Sequence, residues 1–235
     1  MNYWCGWERP AAGVSRHPDS SQHRMSSTEG KVVVVGVTGA SGAILAQTLL
    51  RLLDRDARVA RVHLVVTETG LRLLATELGI VANEPRLLPQ LVTGGRAEKI
   101  ELLPNKDVGA SIASGSYPVD VMVVIPCSAG TLAAIATGQS DDLLSRAADV
   151  CLKEGRRLVL CIRETPLNRV HLENMLRAQQ AGAVIMPAIP SFYHVPNTID
   201  DLVTQYVCRV LVQLGLPQEQ AFEWRGGPQK KAKEA

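Results

Sequence analysis

The chain has 235 residues, of which 46% are hydrophobic and 4% aromatic, and its formal net charge is +2. This length suits one domain with tails and an aliphatic core, while a near-neutral charge without a stripe of Lys and Arg argues against nucleic acid as a partner. No apolar run reaches the length of a transmembrane helix, and the five cysteines form no C-x-x-C pair, so we expect no membrane span and a cytoplasmic protein with reduced thiols.

The N-terminal residues 1–30 contain Trp, Pro, Ser, His and Arg without a sustained hydrophobic period. This composition predicts a disordered N-terminal extension. A transit peptide is the alternative interpretation, because the segment is poor in acidic residues, and it would place the protein in mitochondria.

Strands and helices then alternate. The β-branched run Lys31–Val37 predicts the first strand, and Arg61–Thr67 predicts the second. Apolar residues at helical spacing predict helices over Ala43–Leu53 and Thr69–Leu78. The following segment, residues 83–118, is interrupted by Pro and Gly and predicts no regular element.

The second half continues in the order strand, two helices, strand, helix, short strand, helix: Val119–Ile125 (stopped by Pro126), Thr131–Thr137, Asp142–Lys153, Leu158–Ile162, Asn168–Ala181, Ala183–Met186 and Thr198–Leu214. Such alternation predicts an α/β fold, a Rossmann-like, doubly wound parallel sheet in a single domain over residues 31–217. A ligand should bind beyond the carboxyl ends of the strands. Residues 218–235 are predicted to form a polar C-terminal tail.

Two strand-to-helix turns carry small residues suited to an anion, Gly39–Gly42 and Ser128–Thr131. Glycine lets the backbone turn tightly, and the free N–H groups of a helix start favour a phosphate. A purely structural turn, or ordinary capping by Ser128 or Thr131, is the alternative. The first turn also matches the glycine spacing of short-chain dehydrogenases, but none of the four tyrosines has the Lys four residues on that those enzymes need.

Eight segments occur in the order typical of one enzyme family: G-V-T-G-A-S-G-A (36–43), A-S-G-S (113–116), P-C-S-A-G-T-L (126–132), R-A-A-D-V-C-L-K-E (146–154), R-E-T-P-L (163–167), H-L-E-N-M-L (171–176), G-A-V-I-M-P (182–187) and F-Y-H (192–194). Through them residues 31–217 resemble the flavin prenyltransferase family (UbiX type).

The resemblance implies a flavoprotein fold and a metal-independent transferase. Such enzymes join the dimethylallyl group of dimethylallyl monophosphate to N5 and C6 of reduced FMN. The prenylated FMN serves a partner decarboxylase, in ubiquinone biosynthesis or aromatic acid decarboxylation. The family assembles as a homododecamer with sites at subunit contacts.

The resemblance also assigns roles to single residues. The FMN-binding positions are Gly39, Ala40, Ser41, Thr67, Ser128, Ala129, Gly130, Thr131 and Arg146. Those for dimethylallyl phosphate are Ser114, Gly115, Lys153, Arg163, Glu164, Tyr193 and Arg209. Ser41, Lys153 and Glu164 are the catalytic positions. Glu77 matches a family acid near the site, and Trp224 matches a tail residue that covers the pocket in some members.

The chemistry explains these residue types, because a departing phosphate develops negative charge that a metal-free site must stabilise with cations and hydrogen-bond donors. Arg209 lies among apolar residues of the last helix, where an unpaired charge is costly, so we expect it to have a partner. Glu164 would transfer protons or orient Lys153. His171 and His194 lack further metal ligands and are interpreted as structural.

One departure from the family is the turn Lys153–Arg157, which reads K-E-G-R-R where K-E-R-R-P is usual, and it puts local rigidity in doubt. Two alternative functions remain. One is a non-catalytic FMN-binding subunit of a hydroxyarylic acid decarboxylase, and the other is a flavin-dependent decarboxylase of cysteine-containing peptides. The transferase is favoured because the chain retains the family's site residues Lys153, Glu164, Tyr193 and Arg209.

Overall fold

The computed structural model describes residues 30–223. Residues 1–29 of the predicted extension, Trp224 and the residues after it lie outside this range. The strands are β1 (Lys31–Val37), β2 (Val59–Val66), β3 (Ile100–Leu103), β4 (Val121–Cys127), β5 (Arg157–Ile162) and β6 (Val184–Ile185). The α-helices are α1 (Ala43–Arg55), α2 (Glu68–Leu78), α3 (Leu88–Thr93), α4 (Ala129–Thr137), α5 (Leu143–Lys153), α6 (Arg169–Gln180) and α7 (Ile199–Gln213).

The strands form one parallel sheet in the order β3-β2-β1-β4-β5-β6. The chain first builds the sheet outward from β1 through β2 to β3, and then returns to the other side of β1 with β4. This reversal between β1 and β4 is the topological switch point, where ligands of doubly wound sheets bind. The predicted fold class, a Rossmann-like doubly wound parallel sheet, is confirmed.

Apolar side chains on both faces of the sheet create two core layers, as the continuous valine run of β1 requires. Val33 and Val35 belong to the layer that includes α1 and α7, whereas Val34 belongs to the layer that includes α5. The cysteines of the described part are free and buried: Cys127, Cys151, Cys161 and Cys208. Within residues 30–223, no helix is long and apolar enough to cross a membrane.

The segment 83–118 differs from the prediction, because it contains α3 and the edge strand β3. Both elements are short and lie among Pro and Gly residues, so neither is long enough to show a helical or strand-like pattern of hydrophobic residues. The strand β4 also continues past its predicted stop to Cys127, with a register shift against β5 between Val124 and Cys127. Pro126 is accommodated there because the shifted ladder needs no N–H donor from it.

Candidate functional site

The two predicted anion turns lie side by side at the switch point, joined by Thr38. Its hydroxyl donates to the carbonyl oxygen of Pro126 at 2.8 Å and accepts from the N–H of Ser128 at 2.8 Å. Thr38 is 1% exposed, so water does not compete for these bonds. No motif in the sequence marks Thr38, although it follows the first strand directly.

Gly39 packs against the start of α2. A Cβ atom added at Gly39 would lie 2.5 Å from the Cβ of Thr69, which real side chains do not tolerate. The Thr69 hydroxyl lies 3.1 Å from that of Thr67, and Thr67 caps α2 by accepting from the N–H of Gly70 at 3.0 Å. The structure therefore brings Thr67 to the first turn.

Gly130, in the second turn, has an open face. A Cβ added there would meet nothing within 4 Å, so a ligand can approach the backbone. Ser128 caps α4, accepting from the N–H of Thr131 at 3.2 Å, and the two hydroxyls lie 3.0 Å apart. The N–H groups of Ala129 and Gly130 are first-turn donors without an acceptor inside the helix.

The start of α1 is occupied by a carboxylate of the chain itself. Glu77 accepts from the N–H groups of Gly42 at 3.0 Å and Ala43 at 2.8 Å. Partial burial alone would raise the pKa of Glu77, but hydrogen bonds from Ser41, Ala43 and Gly42 outweigh it and hold the pKa below its usual value. The donors expected for a phosphate at α1 are thus bonded to Glu77, and free first-turn donors remain at α4.

Arg163 follows β5 and joins the same cluster. Its Nε donates to the carbonyl oxygen of Ser41 at 3.1 Å, and its charge also lowers the pKa of Glu77. Glu164 is exposed, and its carboxylate accepts from the N–H of Thr165 at 3.0 Å. Ser41 therefore links Glu77 and Arg163 by hydrogen bonds at the carboxyl edge of the sheet, and the Arg163 charge acts on Glu77 through space.

Tyr193 and Arg209 line a cavity of about 400 Å³ between the segment after β6 and α7, together with Met186, Pro187, Tyr206 and Phe222. The Tyr206 hydroxyl donates to the carbonyl oxygen of Met186 at 2.9 Å, which fixes one wall. The premise that Arg209 is buried among apolar residues is wrong for the single chain. Arg209 is exposed on α7, because the buried Val207, Val210 and Leu211 occupy the other helix face.

Lys153 lies with the predicted segment Ser114–Ser116. A Cβ added at Gly115 would be 2.8 Å from Lys153 Nζ, so the ammonium group lies directly over this glycine. Lys153 also forms an ion pair with the neighbouring Glu154. Glu154 is thus a further charged residue at this position, without a role predicted from the sequence.

Arg146, one turn into α5, contacts the same connecting segment two residues before Gly115. Its Nε donates to the carbonyl oxygen of Ala113 at 3.2 Å, and it pairs with Asp149 at 2.7 Å. Its hydrogen bonds therefore go to the connecting segment and to its own helix, and to neither of the two turns.

Lys153 and Gly115 lie at the amino ends of the strands, opposite the carboxyl ends where Ser41 and Arg163 lie. The N–H of Leu143, at the start of α5, donates to the carbonyl oxygen of Asn105 at 2.8 Å, just beyond the carboxyl end of β3. The 11 residues of α5 span about 16 Å and end at the amino end of β5. Lys153 and Gly115 are therefore not brought to Ser41 within one chain, and Glu164 does not orient Lys153 there.

The predicted structural histidines differ in environment. His171 is part of a capping box at the start of α6, with its N–H bonded to Asn168 at 2.9 Å. His194 has two buried ring nitrogens without a hydrogen-bond partner among the described residues. No group of three or more His, Cys, Asp or Glu in residues 30–223 is arranged to hold a metal ion.

Comparison with known proteins bears on this site. The family model Flavoprotein matches residues 20–211. The flavin prenyltransferase UbiX of Salmonella typhimurium (strain LT2) is 45% identical over 198 residues, which cover 83% of this chain and 99% of the relative.

Two solved structures share the fold and much of the sequence. A structure of AnUbiX (PadA1) in complex with FMN and dimethylallyl pyrophosphate has a TM-score of 0.74 and 39% identity, covering 85% of this chain and 100% of its own. A dodecameric FMN-dependent Ubix-like decarboxylase from Escherichia coli O157:H7 has a TM-score of 0.73 and 41% identity, covering 83% and 100%.

Proposed function

Because this chain belongs to the flavin prenyltransferase (UbiX) family of flavoproteins, we propose that it joins the dimethylallyl group of dimethylallyl monophosphate to N5 and C6 of reduced FMN. The observation that carries the proposal is the pair of turns locked together by Thr38 at the switch point, with an open face at Gly130. The product is prenylated FMN for a partner decarboxylase, in ubiquinone biosynthesis or aromatic acid decarboxylation.

The residues present fit a flavin mononucleotide. Gly130 leaves the backbone of the second turn open to a ligand, while the hydroxyls of Ser128 and Thr131 and the free N–H groups at the start of α4 supply donors. Reduced FMN, when bound, supplies the nucleophilic N5 and C6 atoms. Ser41, after β1, and Thr67, after β2, border the same space.

The phosphate of dimethylallyl monophosphate needs cations and donors. When its carbon–oxygen bond breaks, the electron pair leaves with the phosphate, and Lys153, Tyr193 and Arg209 stabilise the resulting charge. Two protons leave the flavin, one from N5 and one from C6. One of them goes to the phosphate, and the other goes to a carbon of the former double bond of the dimethylallyl group. We assign the proton transfer at C6 to Glu164, which lies beside Arg163.

We infer that the site is completed between copies of the chain. Lys153 and Gly115 lie at the amino edge of the sheet, whereas Ser41 and Arg163 lie at the carboxyl edge. One substrate cannot reach both groups in a single chain, so a second copy must bring its Lys153 to the flavin of the first. A homododecamer, the assembly of the Escherichia coli O157:H7 neighbour, satisfies this need.

For the location of the protein we propose the cytoplasm, supported by the free thiols of the four cysteines in residues 30–223. A mitochondrial location is the alternative, and it depends on residues 1–29. Localisation of the full chain in cells, with and without these residues, distinguishes the two.

The function is tested by anaerobic incubation with reduced FMN and dimethylallyl monophosphate, followed by mass spectrometry of the flavin. We expect one five-carbon prenyl group to be added by the wild-type protein and by Lys106→Ala, a control at an exposed lysine without an assigned role. Lys153→Ala should bind FMN and leave its mass unchanged. If the wild-type protein also binds FMN without changing its mass, the non-catalytic flavin-binding subunit is correct instead.

A further inference from the structure

The segment Ser114–Tyr117, which lies along the end of α5, is held by the side chain of Arg156. The guanidinium group donates to the carbonyl oxygen of Gly115 at 2.5 Å and to that of Tyr117 at 3.0 Å. Arg156 is fixed in turn, because its N–H donates to the carbonyl oxygen of Cys151 at 2.8 Å. One planar, two-pronged donor therefore clamps two carbonyl groups on the same side of the segment.

A second anchor holds the far end of the segment. The hydroxyl of Tyr117 lies 2.8 Å from Nε2 of His63, and the two rings meet edge to face. His63 is 1% exposed, and its burial lowers the pKa of the imidazole. Its other nitrogen lies 3.3 Å from a carboxylate oxygen of Glu101. The Tyr117 anchor is therefore built into β2 and β3.

The hydrogen bonds from Arg156 fix which backbone groups of the segment Ser114–Tyr117 point away from Arg156. The carbonyl and N–H groups of one trans peptide point in opposite directions. Since Arg156 holds the Gly115 carbonyl, the N–H of Ser116 points away from Arg156, towards the hydroxyl of Ser114 at 3.4 Å. The hydroxyls of Ser114 and Ser116 lie 2.9 Å apart. The two hydroxyls and the backbone N–H of Ser116 are thus collected in one place, where they are hydrogen-bonded to one another and a phosphate would take these bonds over.

The ammonium group of Lys153 completes this set. It lies over Gly115, where a Cβ atom would come within 2.8 Å of it. The Glu154 carboxylate lies closer still to Gly115 and pairs with this ammonium group. A phosphate dianion requires a cation beside several hydrogen-bond donors, so the carboxylate occupies the position at Lys153 that the phosphate would take. The family usually places no glycine between the Glu and the Arg of this turn, and Gly155 here adopts a left-handed φ of 64°. Glycine gives this turn more conformational freedom, and the hydrogen bonds of Arg156 to Gly115 and Tyr117 restrict it.

We propose that Arg156 is a positioning residue for the dimethylallyl phosphate site: by clamping Gly115 and Tyr117, it aims the Ser114–Ser116 donors at the phosphate that Lys153 binds. The proposal rests on the proposed function, since it concerns the same substrate. Arg156 does not touch the reacting atoms itself. Lysine cannot replace it, because a single ammonium group cannot reproduce the fixed fork.

The test compares Arg156→Lys with Arg157→Lys in the FMN-loaded full-length protein. Arg157 is the matched control, because it is the neighbouring arginine and donates instead to the carbonyl oxygen of Gln213 at 3.0 Å. For Arg156→Lys we expect the KM for dimethylallyl monophosphate to rise about tenfold, the equivalent of about 1.4 kcal/mol, while the Kd of FMN stays unchanged. Arg157→Lys should keep the wild-type KM.

An unaltered KM in Arg156→Lys, or an equal loss of FMN affinity, would overturn the proposal. Hydrogen exchange of the amides from residue 114 to 117 gives a readout independent of turnover. Exchange should accelerate about tenfold or more in Arg156→Lys and not in Arg157→Lys, and unchanged exchange would also overturn the proposal. A wild-type protein that prenylates no flavin would instead contradict the proposed function, and this inference with it.

Discussion

The hydroxyl of Thr38 accepts a hydrogen bond from the backbone N–H of Ser128 at 2.8 Å, although 90 positions separate the two residues. The bond joins the turn after β1 to the turn after β4, where the order of the sheet reverses. The two halves of the proposed flavin site thus have one shared support, buried from water.

Thr38→Val should uncouple the two turns. Valine keeps the shape of threonine but leaves the N–H of Ser128 without its buried partner, while the carbonyl of Pro126 keeps only the backbone N–H of residue 38, at 3.3 Å. We expect the free energy of unfolding to fall by about 1–3 kcal/mol and the Kd of FMN to rise. Denaturant unfolding and flavin titration measure the two effects. Thr38→Ser keeps the hydroxyl and is the control; FMN binding by Thr38→Val equal to that of wild type would disprove the coupling.

Gly130→Ala should separate stability from flavin binding. The added Cβ meets no protein atom within 4 Å, so the fold is not strained. Removing a glycine from a helix stabilises it by about 0.5–1 kcal/mol. We therefore expect an equal or higher melting temperature without ligand, but weaker FMN binding, because the methyl group enters the proposed flavin space. Unchanged FMN affinity would show that the flavin does not approach Gly130.

Glu77 should make stability depend on acid pH. Its folded-state pKa is lowered, so its contribution is present above the unfolded pKa and is lost as the pH falls through the folded pKa. The difference in unfolding free energy between wild type and Glu77→Gln should therefore shrink below a pH of about 4.3. Urea titrations at several pH values measure it, with Glu68→Gln as the control. A difference that is constant with pH would contradict the bonding to Gly42 and Ala43.

Two inactive variants should complement each other. Lys153→Ala and Ser41→Ala alter opposite edges of the sheet, and each should be inactive alone. If a site takes Lys153 from one copy and Ser41 from another, mixed oligomers contain intact sites, so coexpression should restore prenylation. The reference is the prenylation activity of Ser41→Ala coexpressed with Lys106→Ala, in which only one of the two variants is inactive. Coexpressed Ser41→Ala and Lys153→Ala that stay as inactive as either alone would show that each site is built within one chain.

The sequence predicted most of the fold, because long apolar runs and helical spacing are local signals. The strand β3 and the helix α3 were missed, since a strand of four residues at the sheet edge develops no period. Helix starts were predicted from local residues as well. Thr198, the predicted start of the last helix, caps α7 by accepting from the N–H of Asp201 at 3.1 Å.

The site was harder to predict because its supports are distant in sequence. Thr38 and Arg156 contact partners 90 and 41 positions away, and no local pattern marks such pairs. The exposure of Arg209 depends on which face of α7 meets the core. The separation of Lys153 from Ser41 follows from the direction in which α5 runs, which motif order along the chain does not reveal.

The most direct test of the proposed activity is the ratio of phosphate released to flavin prenylated in one anaerobic reaction. The protein, reduced FMN and dimethylallyl monophosphate are incubated, and inorganic phosphate and the flavin mass are measured together. We predict one phosphate released for each flavin that gains one prenyl group. Recovery of bound flavin at its original mass, with no phosphate released beyond a protein-free control, would contradict the transferase.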